Sequence, residues 1–210
     1  MPADFAEIAL VNNSFGLRDG GDTSASPVAS LVERAKSGEP AAFEQLIDCY
    51  QRKVMMTAWR MLGDQEDARD AAQEVFLRVY KYLGGFRSNQ DFAAWLHRII
   101  INVCRDHLRK RSRFASLETE CEPGSLDKIP GSEDVEAAVV SSQERAILTR
   151  ALATLSRKER AALVLRDLEG FTTEEVARVL GSTQTTVRSQ ICSARAKVKQ
   201  YCKRYLNRAR

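Results

Sequence analysis

Side chains that could read DNA bases lie on one face of a helix predicted near the end of the 210-residue chain. Four of them recur at helical spacing, namely Thr185, Arg188, Ser189 and Cys192. Hydroxyl groups hydrogen-bond to base edges, and an arginine can pair with guanine through two bonds. The pattern therefore indicates recognition rather than catalysis, although a solvated polar helix face has the same pattern.

The elements that would position this face have the pattern of a helix-turn-helix. Thr172 followed by Glu175 predicts a capping box at the start of a first helix, and Gly181 can end that helix in a left-handed conformation. Thr183 can then cap a second helix. A helix-turn-helix places its second helix in the DNA major groove. An ordinary three-helix cluster remains the alternative from this segment alone.

A second basic surface is predicted at the end of a long helix that begins near Asp91. Its basic or titratable residues are Arg98, Arg105, His107, Arg109, Lys110, Arg111 and Arg113, against the single acid Asp106. The helix dipole favours cations at a C-terminus and explains some of them. Their number favours contact with the phosphate backbone of a nucleic acid.

The helix predicted after Asp64 has a charged face with an apolar centre. This face holds Asp67, Asp70, Gln73, Glu74 and Leu77, whereas the predicted buried stripe includes Val75, Val79 and Tyr80. A charged face is usually solvated surface. A partner-docking face fits equally well, and the residue pattern does not decide between the two.

Composition excludes several classes of protein. The net charge is +4 and 44% of the residues are hydrophobic, but no apolar run approaches the ~20 residues that span a bilayer. The first residues lack the basic start of a secretory signal, so a cytoplasmic protein without membrane insertion is predicted. The five cysteines are scattered without a metal-binding spacing. We therefore expect no cofactor, no metal and no catalytic site.

The predicted fold class is all-α, with two helical domains joined by a flexible acidic linker. We expect a disordered tail over residues 1–27, a first domain over 28–114, the linker over 115–136, and a second domain over 137–210. The linker is rich in Glu and Asp and carries two Pro-Gly pairs, which break helices. The second domain is predicted to be a four-helix helix-turn-helix domain, with Ser156 and Glu159 capping an inner helix.

Two motifs at the right separation make the chain similar to bacterial RNA polymerase sigma factors of the extracytoplasmic-function group, in the sigma-70 family. The first motif is DARDAAQEVFL at residues 67–77, followed by residues 86–87 and by FAAWLHRIIIN at 92–102. The second runs through LEG at 168–170, EEVA at 174–177 and TVRS at 186–189. The resemblance covers roughly residues 36–205 and is more specific than the helix-turn-helix alone.

The resemblance implies roles for the surfaces that the residue pattern left open. Core RNA polymerase and promoter DNA become the expected partners, and many members of the group also bind an anti-sigma factor. The polymerase-binding residues would be Asp67, Asp70, Gln73, Glu74 and Leu77. The residues that contact the −10 element would be Phe86, Ser88, Asn89, Arg98, Asn102, Arg105, Arg109, Lys110 and Arg111. The residues that contact the −35 element would be Thr183, Thr185, Arg188, Ser189, Cys192, Arg195 and Lys197.

The sequence departs from the family pattern in the predicted −35 helix. Gln190, Cys192 and Ser193 stand where the family often has arginine or an aromatic residue, so Arg188 is the main long cation left on that face. Two other classes remain as alternatives. One is a stand-alone helix-turn-helix regulator with an N-terminal sensing or dimerisation domain, and the other is a purely structural helical adaptor.

Overall fold

The computed structural model describes residues 27–87, 90–115 and 146–208, and all regular secondary structure in these ranges is helical. The helices are α1 (Pro27–Lys36), α2 (Pro40–Leu62), α3 (Gln65–Tyr82), α4 (Phe92–Ala115), α5 (146–153), α6 (Arg157–Leu163), α7 (Thr173–Leu180) and α8 (Gln184–Arg208). The all-α, two-domain fold class is confirmed. In the described ranges, no helix has the length and apolarity needed to cross a bilayer.

The first domain consists of α1 to α4, and α3 and α4 begin where the sequence predicts, after Asp64 and near Asp91. Pro40 lies in the first turn of α2, and Gly63 ends that helix with a φ of 78°. The Asp64 side chain accepts a hydrogen bond from the backbone N–H of Asp67 at 2.9 Å, which caps α3. Asp91 accepts from the N–H of Ala93 at 2.8 Å at the start of α4. These caps satisfy backbone donors that the helix itself leaves unpaired.

The core of the first domain lies between α2, α3 and α4. Val54, Val75 and Ile100, one from each helix, are fully buried in it. The predicted burial of Tyr80 is wrong, because 71% of this residue is exposed while its ring touches Phe43 edge-on. Tyr80 lies at the border of the buried stripe, where helical spacing alone does not separate a core position from a surface one.

The second domain contains α5 to α8, which confirms its four-helix architecture. Both predicted capping boxes are present, at Ser156 for α6 and at Thr172 for α7. Gly181 ends α7 with a φ of 62°. The N–H of Thr186 then donates to the Thr183 hydroxyl at 3.2 Å and starts α8. The turn of the helix-turn-helix is thus fixed by local hydrogen bonds and by one glycine.

A π-helical turn, Val164–Leu168, extends α6 and changes the direction of the chain before α7. The Glu169 N–H donates to the Val164 carbonyl at 2.9 Å, and the Phe171 N–H donates to the Leu165 carbonyl at 3.0 Å. This wide turn orients the side chains of Glu169 and Phe171 toward the first domain. Buried residues of the second domain, including Val164, Phe171 and Val176, thereby join the hydrophobic core of the first.

Some predicted features lie outside the described residues. They are the tail before residue 27, Ser88 and Asn89, and residues 116–145, which hold most of the predicted linker and the predicted start of the second domain.

Candidate polymerase and promoter-DNA surfaces

The predicted polymerase-binding residues form one stripe on the outside of α3, which we call the polymerase face. Asp70, Gln73 and Leu77 are exposed, and Asp67 and Glu74 are half-buried. Leu77 is 70% exposed, which is unusual for a large apolar side chain at the centre of a polar stripe. An exposed apolar group rimmed by polar ones is suited to contact with a protein partner.

The two half-buried carboxylates of the polymerase face contact α4. The Glu74 carboxylate lies 3.1 Å from His107 Nε2 and also pairs with Arg78, while Asp67 lies 3.4 Å from an Arg111 guanidinium nitrogen. Burial acts to raise the pKa of Glu74, but hydrogen bonds from His107 and Arg78 outweigh it and lower that pKa. Ion pairs therefore connect the polymerase face to the basic C-terminal part of α4.

The predicted −10 residues on α4 lie largely on one helix face. Arg98, Asn102, Arg105 and Arg109 recur at intervals of four, three and four residues, which places them in a row. Arg98, Asn102 and Arg109 are exposed, as are Lys110 and Arg111. Arg105 is half-buried, and burial lowers its pKa. A row of cations along a helix is suited to a phosphate backbone.

Phe86 does not present its ring to solvent. It is 6% exposed and packs against Phe92 and Trp95, with ring centroids 5.6 and 5.1 Å apart. The contact with the −10 element that the resemblance implies for Phe86 therefore does not fit the burial of its ring. Its place in the aromatic cluster fits an anchor for the loop that follows. Arg87 and Gln90, at the described ends of that loop, are exposed.

The predicted −35 residues lie together on the outside of α8 and its preceding turn. Thr183, Thr185, Arg188, Ser189 and Cys192 are all exposed, and we call them the reading face. The hydroxyl of Thr183 is already engaged, since it caps α8 and lies 2.8 Å from the Thr186 hydroxyl. Arg188 reaches Gln184 only at 3.4 Å, so its guanidinium group retains donors for another partner.

Arg195 and Lys197, predicted to contact phosphate, pair with acidic residues of their own domain. Arg195 donates to the Asp167 carboxylate at 2.8 and 2.6 Å, and Lys197 donates to Glu159 at 2.8 Å. Hydrogen bonds from Lys197 and Ser193 lower the pKa of Glu159 to about 2. These ion pairs hold α8 against α6 and leave each cation partly exposed at the edge of the reading face.

A buried polar cluster between the two domains was not predicted from the sequence. Glu169 Oε1 accepts hydrogen bonds from Arg60 Nη1 and from the Thr57 hydroxyl, both at 2.8 Å. His97 Nε2 lies 3.5 Å from Glu169 Oε2, and the His97 ring contacts Phe171 edge-on. We call Thr57, Arg60, His97 and Glu169 the interdomain cluster.

The charges of the interdomain cluster are buried. The side chains of Arg60, His97 and Glu169 are 7%, 0% and 4% exposed. Burial acts to raise the pKa of Glu169, but His97, Arg60 and Thr57 together lower it to about 2. His97 Nδ1 donates to the Ala93 carbonyl at 2.7 Å, which orients Nε2 toward Glu169. The carboxylate is therefore held in its charged form by groups of the first domain.

Two further hydrogen bonds cross the same boundary. Arg160 Nη1 donates to the Met61 carbonyl at 2.7 Å, and Arg157 Nη2 donates to the Leu108 carbonyl at 3.1 Å. The Met61 carbonyl lies in the last turn of α2, where carbonyl groups can accept from cations.

Metal chemistry has no evident site in the described residues, where no group of three or more His, Cys, Asp or Glu side chains could hold an ion. Cys192 is exposed on the reading face, whereas Cys104 is buried and burial raises the pKa of its thiol to about 12.

An all-helical chain with a helix-turn-helix reading face and a second basic helix has the features of a DNA-binding transcription protein. Residues 46–114 match the family described as sigma-70 region 2, and residues 145–198 match sigma-70 region 4. The chain is 34% identical to the RNA polymerase sigma-H factor of Pseudomonas aeruginosa, over 79% of this chain and 88% of that protein. It is 33% identical to the ECF RNA polymerase sigma-E factor of Escherichia coli, with the same coverage.

Two solved structures share the fold. A structure of CnrH in complex with the cytosolic domain of CnrY aligns with a TM-score of 0.63 and 25% identity, covering 87% of this chain and 98% of that one. The sigma factor RpoE of Bartonella quintana, in complex with the anti-sigma factor NepR, shares the fold with a TM-score of 0.63 and 23% identity, covering 77% and 96% of the two chains.

The chain belongs to the sigma-70 family of RNA polymerase sigma factors, in its extracytoplasmic-function (ECF) group. Its function is that of a sigma factor, which binds core RNA polymerase and promoter DNA and directs transcription initiation.

Proposed function

We propose that the polymerase face on α3 is the main docking surface for core RNA polymerase. The observation that carries this assignment is Leu77, an exposed leucine flanked by Asp70, Gln73 and Glu74. A partner that covers Leu77 gains roughly 1.5–3 kcal/mol from burying the side chain. The surrounding carboxylates give charge complementarity to a basic partner surface and fix its orientation.

The row of cations on α4 is proposed to hold the −10 element. Arg98, Arg105 and Arg109 would bind phosphates along one strand, and Asn102 between them can reach base edges. A base that leaves the stack costs a few kcal/mol, so a pocket must offer it new contacts. We assign Phe86 to anchoring the loop that forms this pocket and Ser88 and Asn89 to its hydrogen bonds.

The second domain is proposed to bind the −35 element through its reading face. Arg188 is the one long cation among the five residues of that face, so we assign it the main base contact. Thr185, Ser189 and Cys192 would fit around it in the major groove. Arg195 and Lys197 lie one to two turns farther along α8 and would contact phosphates while keeping their acidic partners.

The protein is proposed to act in the cytoplasm without catalysis of its own, because nucleotide addition belongs to the polymerase that it directs. An anti-sigma factor is a further proposed partner. The structurally similar sigma factor RpoE of Bartonella quintana is seen in complex with the anti-sigma factor NepR, and CnrH is seen in complex with the cytosolic domain of CnrY.

Run-off transcription with purified core polymerase tests whether the protein directs the polymerase to promoters. We expect starts at one position only when the chain, core polymerase and a template with both promoter elements are present. A chain that protects DNA as a dimer without polymerase, and gives no specific start with it, would instead be a stand-alone helix-turn-helix regulator.

A further inference from the structure

The interdomain cluster is complete only when the two domains touch. Thr57, Arg60 and His97 belong to the first domain, and Glu169 belongs to the second. A buried carboxylate without its partners is strongly unfavourable, whereas each of these groups regains water if the domains separate. The contacts within the interdomain cluster therefore exist in the closed arrangement alone.

The apolar part of the boundary favours the same arrangement. Ile101 and Cys104 lie one and two turns after His97 on the same face of α4, and both are fully buried. Phe171 and Val176 of the second domain belong to the same core cluster. Separation of the domains would expose this surface, so polymerase and DNA must supply the compensating contacts.

The closed arrangement is too short to bind both promoter elements at once. Elements centred near −10 and −35 lie about 25 base pairs apart, or about 85 Å along B-form DNA. A compact body of about 150 residues has a radius of gyration of only about 15 Å. The chain between residues 115 and 146 could reach about 100 Å if extended, so it permits separation.

We propose that the free protein rests in a closed form held by the Arg60–Glu169–His97 latch, and that the latch must open before both promoter elements are bound. This inference rests on the proposal that one protein binds both promoter elements at once. Its test measures the shape of the free protein, so failure of the latch and failure of that proposal are distinguishable.

Small-angle X-ray scattering of the full chain measures the opening. Arg60→Met leaves the Glu169 carboxylate buried without its main cation, and Glu169→Leu leaves the Arg60 guanidinium without its carboxylate. Each single variant is expected to raise the radius of gyration by a factor of about 1.3 or more, because two compact bodies of about 11–12 Å lose contact. In the double variant, methionine and leucine replace the ion pair by an apolar contact of similar size, which can hold the domains together as the pair does, so its radius of gyration is expected to return to the wild-type value.

Asp167→Asn is the matched control, because it removes an ion pair of the same kind two residues from Glu169 but within one domain. Its radius of gyration should equal that of the wild type. The latch is overturned if the single variants stay compact, if Asp167→Asn expands as much as they do, or if the double variant stays expanded.

Circular dichroism separates opening from unfolding, since an opened protein keeps its helix content. If a single variant loses its helices, Arg60→Gln and Glu169→Gln repeat the comparison with milder changes. Run-off transcription by the same variants is read separately. If the wild type and an expanded Glu169 variant both give specific starts, the proposed binding to both promoter elements is supported. The scattering result alone then decides on the latch.

Discussion

At the scale of single residues, Arg188 bears most of the proposed −35 recognition. Arg188→Ala should weaken discrimination between the correct and a mutated −35 element by about 1–3 kcal/mol, if the guanidinium makes a two-bond base contact. Competition between the two promoter fragments for the polymerase complex measures this. Arg178→Ala removes an exposed cation on α7 outside the reading face and serves as the control. Equal loss on both promoter fragments would reassign Arg188 to phosphate binding.

Leu77 permits a clean test of the polymerase face because it contributes little to the fold. Leu77→Ala should leave the thermal unfolding of the free protein nearly unchanged and weaken core-polymerase binding by roughly 1–3 kcal/mol. Competition with wild-type protein for limiting core polymerase measures the loss. Tyr205→Ala, an exposed apolar change in the second domain, should bind normally. Normal binding by Leu77→Ala would remove the basis for this docking surface.

Glu74 is a less direct probe of the same surface. Its carboxylate pairs with Arg78 and His107, so Glu74→Lys would break these contacts as well as reverse a charge toward polymerase. The sequence indicates that Glu74 is on an outer face, but its contacts with α4 depend on a residue 33 positions away. A loss of polymerase binding in this variant has two causes, whereas a loss in Leu77→Ala has one.

At the scale of helices, sequence reasoning works where the determinants are local. The capping boxes at Ser156 and Thr172 each need two residues three positions apart, and the cap at Asp64 needs only its own side chain; all three are present in the structure. Tyr80 shows the limit of this reasoning, because its exposure depends on how α3 is rotated against α2. That rotation is set by packing between helices rather than by the spacing within one.

The capping box of α7 gives a prediction at this scale. Thr172→Ala removes the hydroxyl that accepts from the Glu175 N–H at 3.2 Å, and should lower the free energy of unfolding by about 1 kcal/mol. Chemical denaturation measures the change, and Thr172→Ser should retain most of the stability. The loss concerns the helix that supports α8, so −35 affinity should fall on every promoter alike. An unchanged unfolding free energy would mean that Glu175 finds another partner.

At the scale of the whole molecule, the contact between the domains could not be predicted from the sequence. Thr57 and Glu169 are 112 residues apart, and no periodic pattern links them. In the sequence, Glu169 stands out only as part of the LEG motif, and His97 only as one residue of FAAWLHRIIIN. A buried ion pair forms only when three-dimensional packing brings its partners together. The exposed surfaces could therefore be predicted from the sequence, whereas the interdomain cluster could not.

Acid should release this contact, because the pKa of Glu169 is lowered to about 2 in the closed form from a usual value of 4.5. A carboxyl with a depressed pKa stabilises the fold above its unfolded pKa, and loses that contribution as pH falls toward its folded pKa. The contribution at pH 7 is on the order of 3 kcal/mol. It should therefore decline between about pH 4.5 and pH 2.

Comparison with Glu169→Gln isolates this effect from general acid unfolding, because glutamine resembles the protonated acid and does not titrate. At pH 7 the wild type should be the more stable protein in chemical denaturation, and the difference should shrink steadily as the pH falls below 4.5. Arg60 and His97, the basic groups that face Glu169, are present in both proteins, so the comparison differs only in the carboxyl group. A difference in unfolding free energy that stays constant from pH 7 to pH 3 would show that Glu169 is not held in its charged form by the first domain.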